Sequence, residues 1–281
     1  SGTLLTSPNA ITWTSQTSGT SNNLRSFALG NDTGVVVGFS GTILTTTDGR
    51  TWTSRTSGTS KNINNVAYGN SKFIAVGDNG TTLYSSDGIT WTDWTSNCGA
   101  NDNESLWDVA YGSSTWVAVG DNGSIYTSDE SSCTKRTSGT TVEFNELIYG
   151  DSTFVAAGDN GTVLTSSDGI TWTSRSSSTT NNLYGGAYTD SNNDGNKVFA
   201  LVGASGKLIS SNSAYTTWTP IELSSISTGS LFGIARGGTT WVIVGTSGYI
   251  SSISDGDSDV TTRSSGCLLY TSDAADERSS V

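Results

Sequence analysis

An eight-residue phrase recurs along this chain. Ser-Ser-Asp-Gly-Ile-Thr-Trp-Thr stands at Ser85–Thr92 and again at Ser166–Thr173, with a near copy at Thr46–Thr53 (TTDGRTWT) and an echo, NAITWT, at Asn9–Thr14. Aligning on the tryptophan slot gives Trp13, Trp52, Trp91, Cys133, Trp172, Trp218 and Val260, with steps of 39, 39, 42, 39, 46 and 42 residues. A fixed period of this size means one supersecondary unit copied many times, each burying its apolar face against its neighbours.

The cleanest copy runs from Asn62 to Gly99. It reads NINNVAYG, KFIAVGDNG, TTLYSSDG and ITWTDWTS: four short β-branched and aromatic runs separated by Asn, Asp and Gly. That is the pattern of four antiparallel strands, a to d. Asn79-Gly80 predicts a tight b–c hairpin, because both central residues of a type I′ turn need positive φ. Asp-Asn-Gly returns at Asp121–Gly123 and Asp159–Gly161, so this hairpin is a repeated part. Four strands per forty or so residues is the spacing of a β-propeller blade.

The expected fold is therefore all-β, a single β-propeller over residues 1–266. Six full blades are expected at about 23–58, 62–97, 105–139, 143–178, 182–222 and 230–266, after a half-blade at 2–19 that matches only strands c and d. Propellers avoid open edges by pairing terminal strands within one blade. Strands a and b are accordingly expected beyond Gly266, making seven blades in the intact protein. The text after Gly266 does not supply them: CLLYTSDAAD at Cys267–Asp276 resembles translated sequencing-adapter read-through, so 267–281 reads as a non-native tail of a metagenomic fragment.

Composition narrows the chemistry. The net charge of -12 disfavours nucleic acid and anionic membranes as partners, since both call for a basic patch. No apolar run is long enough to cross a membrane as a helix. The chain has no His, which removes Ser-His-Asp and Cys-His catalysis and the His-bearing zinc sites. No cofactor fingerprint appears; the glycines sit in hairpins and not before a helix. The insert Asp190–Asn196 is oxygen-rich but lacks the spacing and terminal Glu of a calcium loop, so no metal is assigned. Cys98 and Cys133 could pair in an oxidising compartment, although two unpaired thiols is the simpler reading.

SSDGITW resembles the Asp-box of BNR-repeat, sialidase-like propellers, Ser-x-Asp-x-Gly-x-Thr-Trp, shortened by one residue because Asp87, Asp168 and Asp48 are followed directly by Gly. The short form is similar to that of many bacterial secreted propellers and of photosystem II assembly propellers. The resemblance implies a structural box: Asp48, Asp87 and Asp168 accepting backbone N–H groups within the c–d turn, and Trp52, Trp91 and Trp172 burying between blades. Losing such a tryptophan is expected to cost about 3–5 kcal/mol.

The same resemblance raises the question of glycoside hydrolysis. A sialidase grips its substrate carboxylate with three arginines, but Arg55, Arg136, Arg175 and Arg263 occupy one repeated outer-strand slot and do not form a converging clamp. Asp108 and Glu146 hold the same strand-a position in adjacent blades and are the candidate carboxyl pair of a glycosidase; polar lining of a central channel is the plainer role. Function is better sought where copies disagree. The residue following the Leu24-type core position reads Arg25, Asn64, Trp107, Asn145, Tyr184 and Phe232, aromatics and amides that suit a carbohydrate ligand and equally suit packing between blades. The inserts Cys98–Ser105 and Asp190–Asn196 are further candidates. The expected function is a non-catalytic binding or scaffold propeller, extracellular or periplasmic and of bacterial or phage origin, recognising a glycan or a protein surface. A glycoside hydrolase and an assembly factor for a membrane complex are the alternatives.

Overall fold

The computed structural model describes residues 2–9, 12–97, 104–129, 132–190, 197–221, 229–237, 240–254 and 261–264. The fold is an all-β propeller built from six four-stranded antiparallel blades, each with its strands in the order a-b-c-d. Strand a spans Leu24–Gly30, Ile63–Gly69, Leu106–Gly112, Phe144–Gly150, Leu183–Asp190 and Leu231–Gly237 in blades 1 to 6. Blade 2 shows the pattern in full, with Lys72–Gly77 as b, Thr82–Ser85 as c and Thr92–Asp93 as d. A separate two-stranded hairpin pairs β1 (Leu4–Thr6) with β2 (Thr14–Gln16). Among the described residues the helical content is limited to short 3-10 turns, and no helix is long and apolar enough to cross a membrane.

The chain divides into two compact units. One comprises Ser1–Pro8, Thr12–Ala156 and Leu164–Ser174; the other comprises Asn9–Ile11, Ala157–Val163 and Arg175–Val281. The inserts around residues 98–103 and 191–196, and the tail 267–281, lie outside the described residues.

The turns follow the residues that can make them. In the b–c turn of blade 2, Asn79 has φ 53° and Gly80 φ 67°, and Thr81 N–H donates to Asp78 O at 3.1 Å. Both central residues are left-handed, as the Asn-Gly pair requires. The shortened Asp-box is likewise an Asx-type turn. Asp87 Oδ1 accepts from the N–H of Ile89 and of Thr90, both at 2.8 Å, and from Ser85 Oγ at 2.9 Å. Asp168 repeats these bonds with Ile170, Thr171 and Ser166, and Asp48 makes the equivalent set. These N–H donors hold all three carboxyls below the usual carboxylate range.

Within the first unit, successive blades interlock through strand a. A Cβ on Gly30 would lie 2.1 Å from the Tyr68 ring, one on Gly69 2.4 Å from Tyr111, and one on Gly112 2.2 Å from Tyr149. Each tyrosine of one blade thus covers a glycine of the blade before it. Each also packs against a buried ring of its own strand b: Tyr68 on Phe73 at 4.7 Å, Tyr111 on Trp116 at 4.9 Å, Tyr149 on Phe154 at 4.6 Å. The second unit repeats the last contact with Tyr188 on Phe199 at 4.9 Å.

The box tryptophans Trp91 and Trp172 pack against cores shared by two neighbouring blades, without being fully buried. Trp91 and Trp172 are half-buried, lean on Phe73 and Phe154 of their own blades at 6.4 Å, and donate Nε1–H to Gly88 O and Gly169 O. The box glycine also meets the preceding blade: a Cβ on Gly88 would stand 2.9 Å from Val35, and one on Gly169 2.7 Å from Val117. In blade 5 the box is replaced. Asn212 Oδ1 accepts from Thr216 N–H, Tyr215 stacks edge-on to Phe199 at 5.0 Å, and Trp218 is fully buried.

Cys133 is disulfide-bonded, which corrects the reading of it as an unpaired thiol; Cys98 and Cys267 lie outside the described residues.

Candidate functional site

The slot where the copies disagree has a structural cause. In blade 1, Leu24 pairs with Gly38 while Ser26 pairs with Val37, leaving Arg25 as the extra residue of a β-bulge. The same shift leaves Asn64, Trp107, Tyr184 and Phe232 as bulge residues in blades 2, 3, 5 and 6. A bulge re-aims its extra side chain out of the alternating pattern, which frees the slot from core duty.

In the first unit these side chains turn toward the b–c loops. Arg25 stacks its guanidinium 4.5 Å from the ring of Phe39, in the b–c loop of blade 1, and 5.5 Å from the ring of Trp107 in blade 3. Trp107 donates Nε1–H to Asp121 Oδ1 at 2.6 Å, in the b–c loop of its own blade. Asn64 of blade 2 donates through Nδ2 to Asp78 Oδ1 and to Leu106 O, each at 3.0 Å. Arg25 and Trp107 are half-buried, whereas Asn64 and Asn145 are buried and present little surface to a ligand; Asn64 braces blade 2 against blade 3. In the second unit Tyr184 and Phe232 lie side by side, their centroids 5.6 Å apart and their planes tilted by 43°.

Phe39 was not among the expected site residues, although the sequence carries its signal. The b–c loop position is Asp78, Asp121 and Asp159 in blades 2 to 4, and it becomes Phe39 in the blade whose bulge residue is Arg25. In blades 2 and 3 the bulge residue donates to that aspartate. In blade 1 a cation replaces the donor and an aromatic ring replaces the acceptor, a swap that converts a hydrogen bond into a cation–π contact. Reading the two slots as a pair identifies the site; reading either alone does not.

Asp108 and Glu146 come together, but as a joint between blades. Asp108 Oδ1 accepts from Val109 N–H at 2.7 Å, and its Oδ2 accepts from Leu147 N–H of blade 4 at 2.6 Å. In blade 1 Ser26 Oγ serves Val66 N–H of blade 2 in the same way, at 3.3 Å. Burial pushes the Asp108 carboxyl up to about 7, against the lowering effect of bonds from Leu147, Val109 and the Glu146 side chain. A retaining glycosidase holds its carboxyls about 5–5.5 Å apart around the sugar, and an inverting one wider still. A hydrogen-bonded pair whose buried member spends both oxygens on backbone N–H groups has no such gap, so this geometry does not support the catalytic reading. Among the described residues no group of three or more His, Cys, Asp or Glu side chains could hold a metal ion.

No protein-family model matches the chain, and no curated protein sequence matches it. Solved structures do. YCF48 bound to a D1 peptide superposes with a TM-score of 0.67 at 18% identity, covering 86% of this chain and 81% of that one. YCF48 from Cyanidioschyzon merolae gives 0.64 at 17%, covering 86% and 85%. The WD40 β-propeller domain of Doa1 gives 0.67 at 12%, covering 91% and 86%. At these identities the likeness is one of fold, and the fold this chain shares with them is the β-propeller.

Proposed function

We propose that this chain is a non-catalytic binding scaffold that takes a protein segment on the face bearing its b–c loops, with Arg25, Phe39 and Trp107 as the anchor. The observation that carries this reading is the stack of Arg25 on both rings. Arginine and tryptophan are the residue types that dominate binding hot spots, and a stacked guanidinium loses little further freedom when it binds. The bulges that present these groups belong to a rigid blade, which is how a repeat scaffold offers a preorganised surface. A propeller of similar fold holds a D1 peptide in YCF48, which adds support for a protein partner, with a role in assembling a larger complex as one form of it. The disulfide at Cys133 fits an extracellular or periplasmic home.

The experiment is an array of tiled fifteen-residue peptides and, in parallel, a glycan array, both probed with the purified chain. Peptide binding is expected, weakened by about 30-fold in R25A and W107A, the magnitude of losing one hot-spot residue. I89A, on the opposite face at an exposed Asp-box position, is expected to bind as the parent does. Glycan binding lost on Tyr184→Ala but unaffected by R25A would favour the carbohydrate reading, for which the adjacent Tyr184 and Phe232 rings are the supporting feature.

A further inference from the structure

The b–c loops of blades 2 and 3 hold two carboxylates that the fold leaves with spare accepting capacity. Asp78 Oδ2 accepts from Asn62 Nδ2 at 2.9 Å and its Oδ1 from Asn64 Nδ2 at 3.0 Å. Asp121 Oδ2 accepts from Ser105 N–H at 2.9 Å and its Oδ1 from Trp107 Nε1–H at 2.6 Å. Each oxygen takes one bond from a neutral donor, whereas an ionised carboxylate offers about four lone-pair sites in all. Both side chains are half-buried, so part of each stays open to a partner. Elsewhere the chain does match a carboxylate with a cation: Lys135 Nζ stands 2.6 Å from Glu104 Oε1.

A second feature of the same place calls for a donor. Asn64 is 5% exposed and commits its Nδ2 to Asp78 and to Leu106 O, each at 3.0 Å. Its Oδ1 is buried with no hydrogen-bond partner. An unmet buried acceptor costs free energy, and the great majority in folded proteins are met. The same amide joins the two loops. It ties Asp78 of blade 2 to Leu106, and the next residue, Trp107, holds Asp121. One hydrogen-bonded chain therefore carries two carboxylates, an unmet amide oxygen and an indole. The indole face already takes one guanidinium, that of Arg25 at 5.5 Å.

We propose that this run of acceptors receives a basic side chain, lysine or arginine, of the bound protein segment. The inference rests on the reading of the b–c loop face as a protein-binding surface, and it names the residue class that surface selects. An ammonium or guanidinium group can donate to carboxylate and amide oxygen and is attracted to an indole face. A neutral hydroxyl carries no charge to set against Asp78 and Asp121. The net charge of -12 steers basic segments toward the chain, an effect that salt weakens. The slot is also confined: the same b–c position is Phe39 in blade 1, Ala204 in blade 5 and Thr246 in blade 6, none of them charged.

The test titrates the full chain with N-acetylarginine methylamide and follows the Asn64 side-chain amide and the Trp107 indole N–H by NMR. Saturable shifts are expected at both. The citrulline counterpart, of similar shape without the charge, is expected to bind at least tenfold more weakly, a comparison that needs no protein variant. The D78N/D121N double variant keeps an oxygen acceptor at each position and is expected to lose at least tenfold in affinity for the arginine compound. Peptides bound in the array are expected to be rich in Lys and Arg, and to lose that bias with the double variant. The proposal is overturned if the citrulline compound binds as well, if the double variant binds as the parent does, or if calcium chloride saturates the same shifts at lower concentration. Saturable arginine binding beside an array with no bound peptide removes the segment reading and keeps the cation site. Bound peptides without a Lys or Arg bias do the reverse.

Discussion

Phe73→Ala is expected to destabilise the first unit by about 3–5 kcal/mol, the cost of removing a fully buried aromatic ring and leaving a cavity. Phe73 is 0% exposed and lies between Tyr68, which reaches back to Gly30 of blade 1, and Trp91 of the Asp-box turn. Its removal loosens both contacts at once. Trp91→Ala is expected to cost clearly less, because the indole is half-buried and its Nε1–H donates to a carbonyl within its own turn. Urea unfolding of both variants checks the order. A larger loss in W91A would restore the tryptophan as the chief clasp between blades.

The second large effect is expected at Asp108. Asp108→Ala strips the acceptor from the N–H groups of Leu147 and Val109, both buried, and is expected to cost about 2–6 kcal/mol at one to three per orphaned donor. Asp108→Asn keeps one acceptor oxygen, and blade 2 already carries Asn65 in that position, so its cost at pH 5 is expected to be smaller. The two variants also separate by pH. The folded carboxyl is raised to about 7 by burial, so its contribution is complete below the ordinary value near 3.8 and is lost as pH climbs through about 7. Asp48, Asp87 and Asp168 act with the opposite sign: their carboxyls are lowered, so their contribution is present above the ordinary range and fades as the solution is acidified. Parent stability is therefore expected to peak near pH ~4–5. In D108N the decline between pH ~4 and ~7 should flatten while the loss in acid persists. Thermal midpoints from pH 3 to 8 test this; an unaltered slope above pH 5 in D108N would show that Asp108 does not titrate there.

The fold was legible because it rests on backbone rules that small residues announce. Asn79-Gly80 can take two left-handed conformations in succession, and Asp87 two residues before Ile89 can cap the turn, whatever surrounds them. The site was legible only in part. Alternation in strand a marks Arg25 and Trp107 as exceptional but gives no sign of the bulge that turns them toward the b–c loops, because a bulge depends on the partner strand. Phe39 was overlooked for the same reason: its meaning lies in a contact with Arg25 across the blade. Asp108 shows the same dependence on a partner strand. The sequence leaves its carboxylate open to chemistry or to a plain polar role, and only the Leu147 N–H of the next blade shows what it is bonded to.

The central claim is that partners engage the b–c loop face, while the Asp-box face is structural. Hydrogen exchange of the chain with and without an array-selected peptide tests it most directly. Slowed exchange is expected only at the strand-a bulges and b–c loops around Arg25, Phe39, Trp107 and Asp121. Slowed exchange at the Asp-box turns of Asp48, Asp87 and Asp168, with the loop face unchanged, would contradict it.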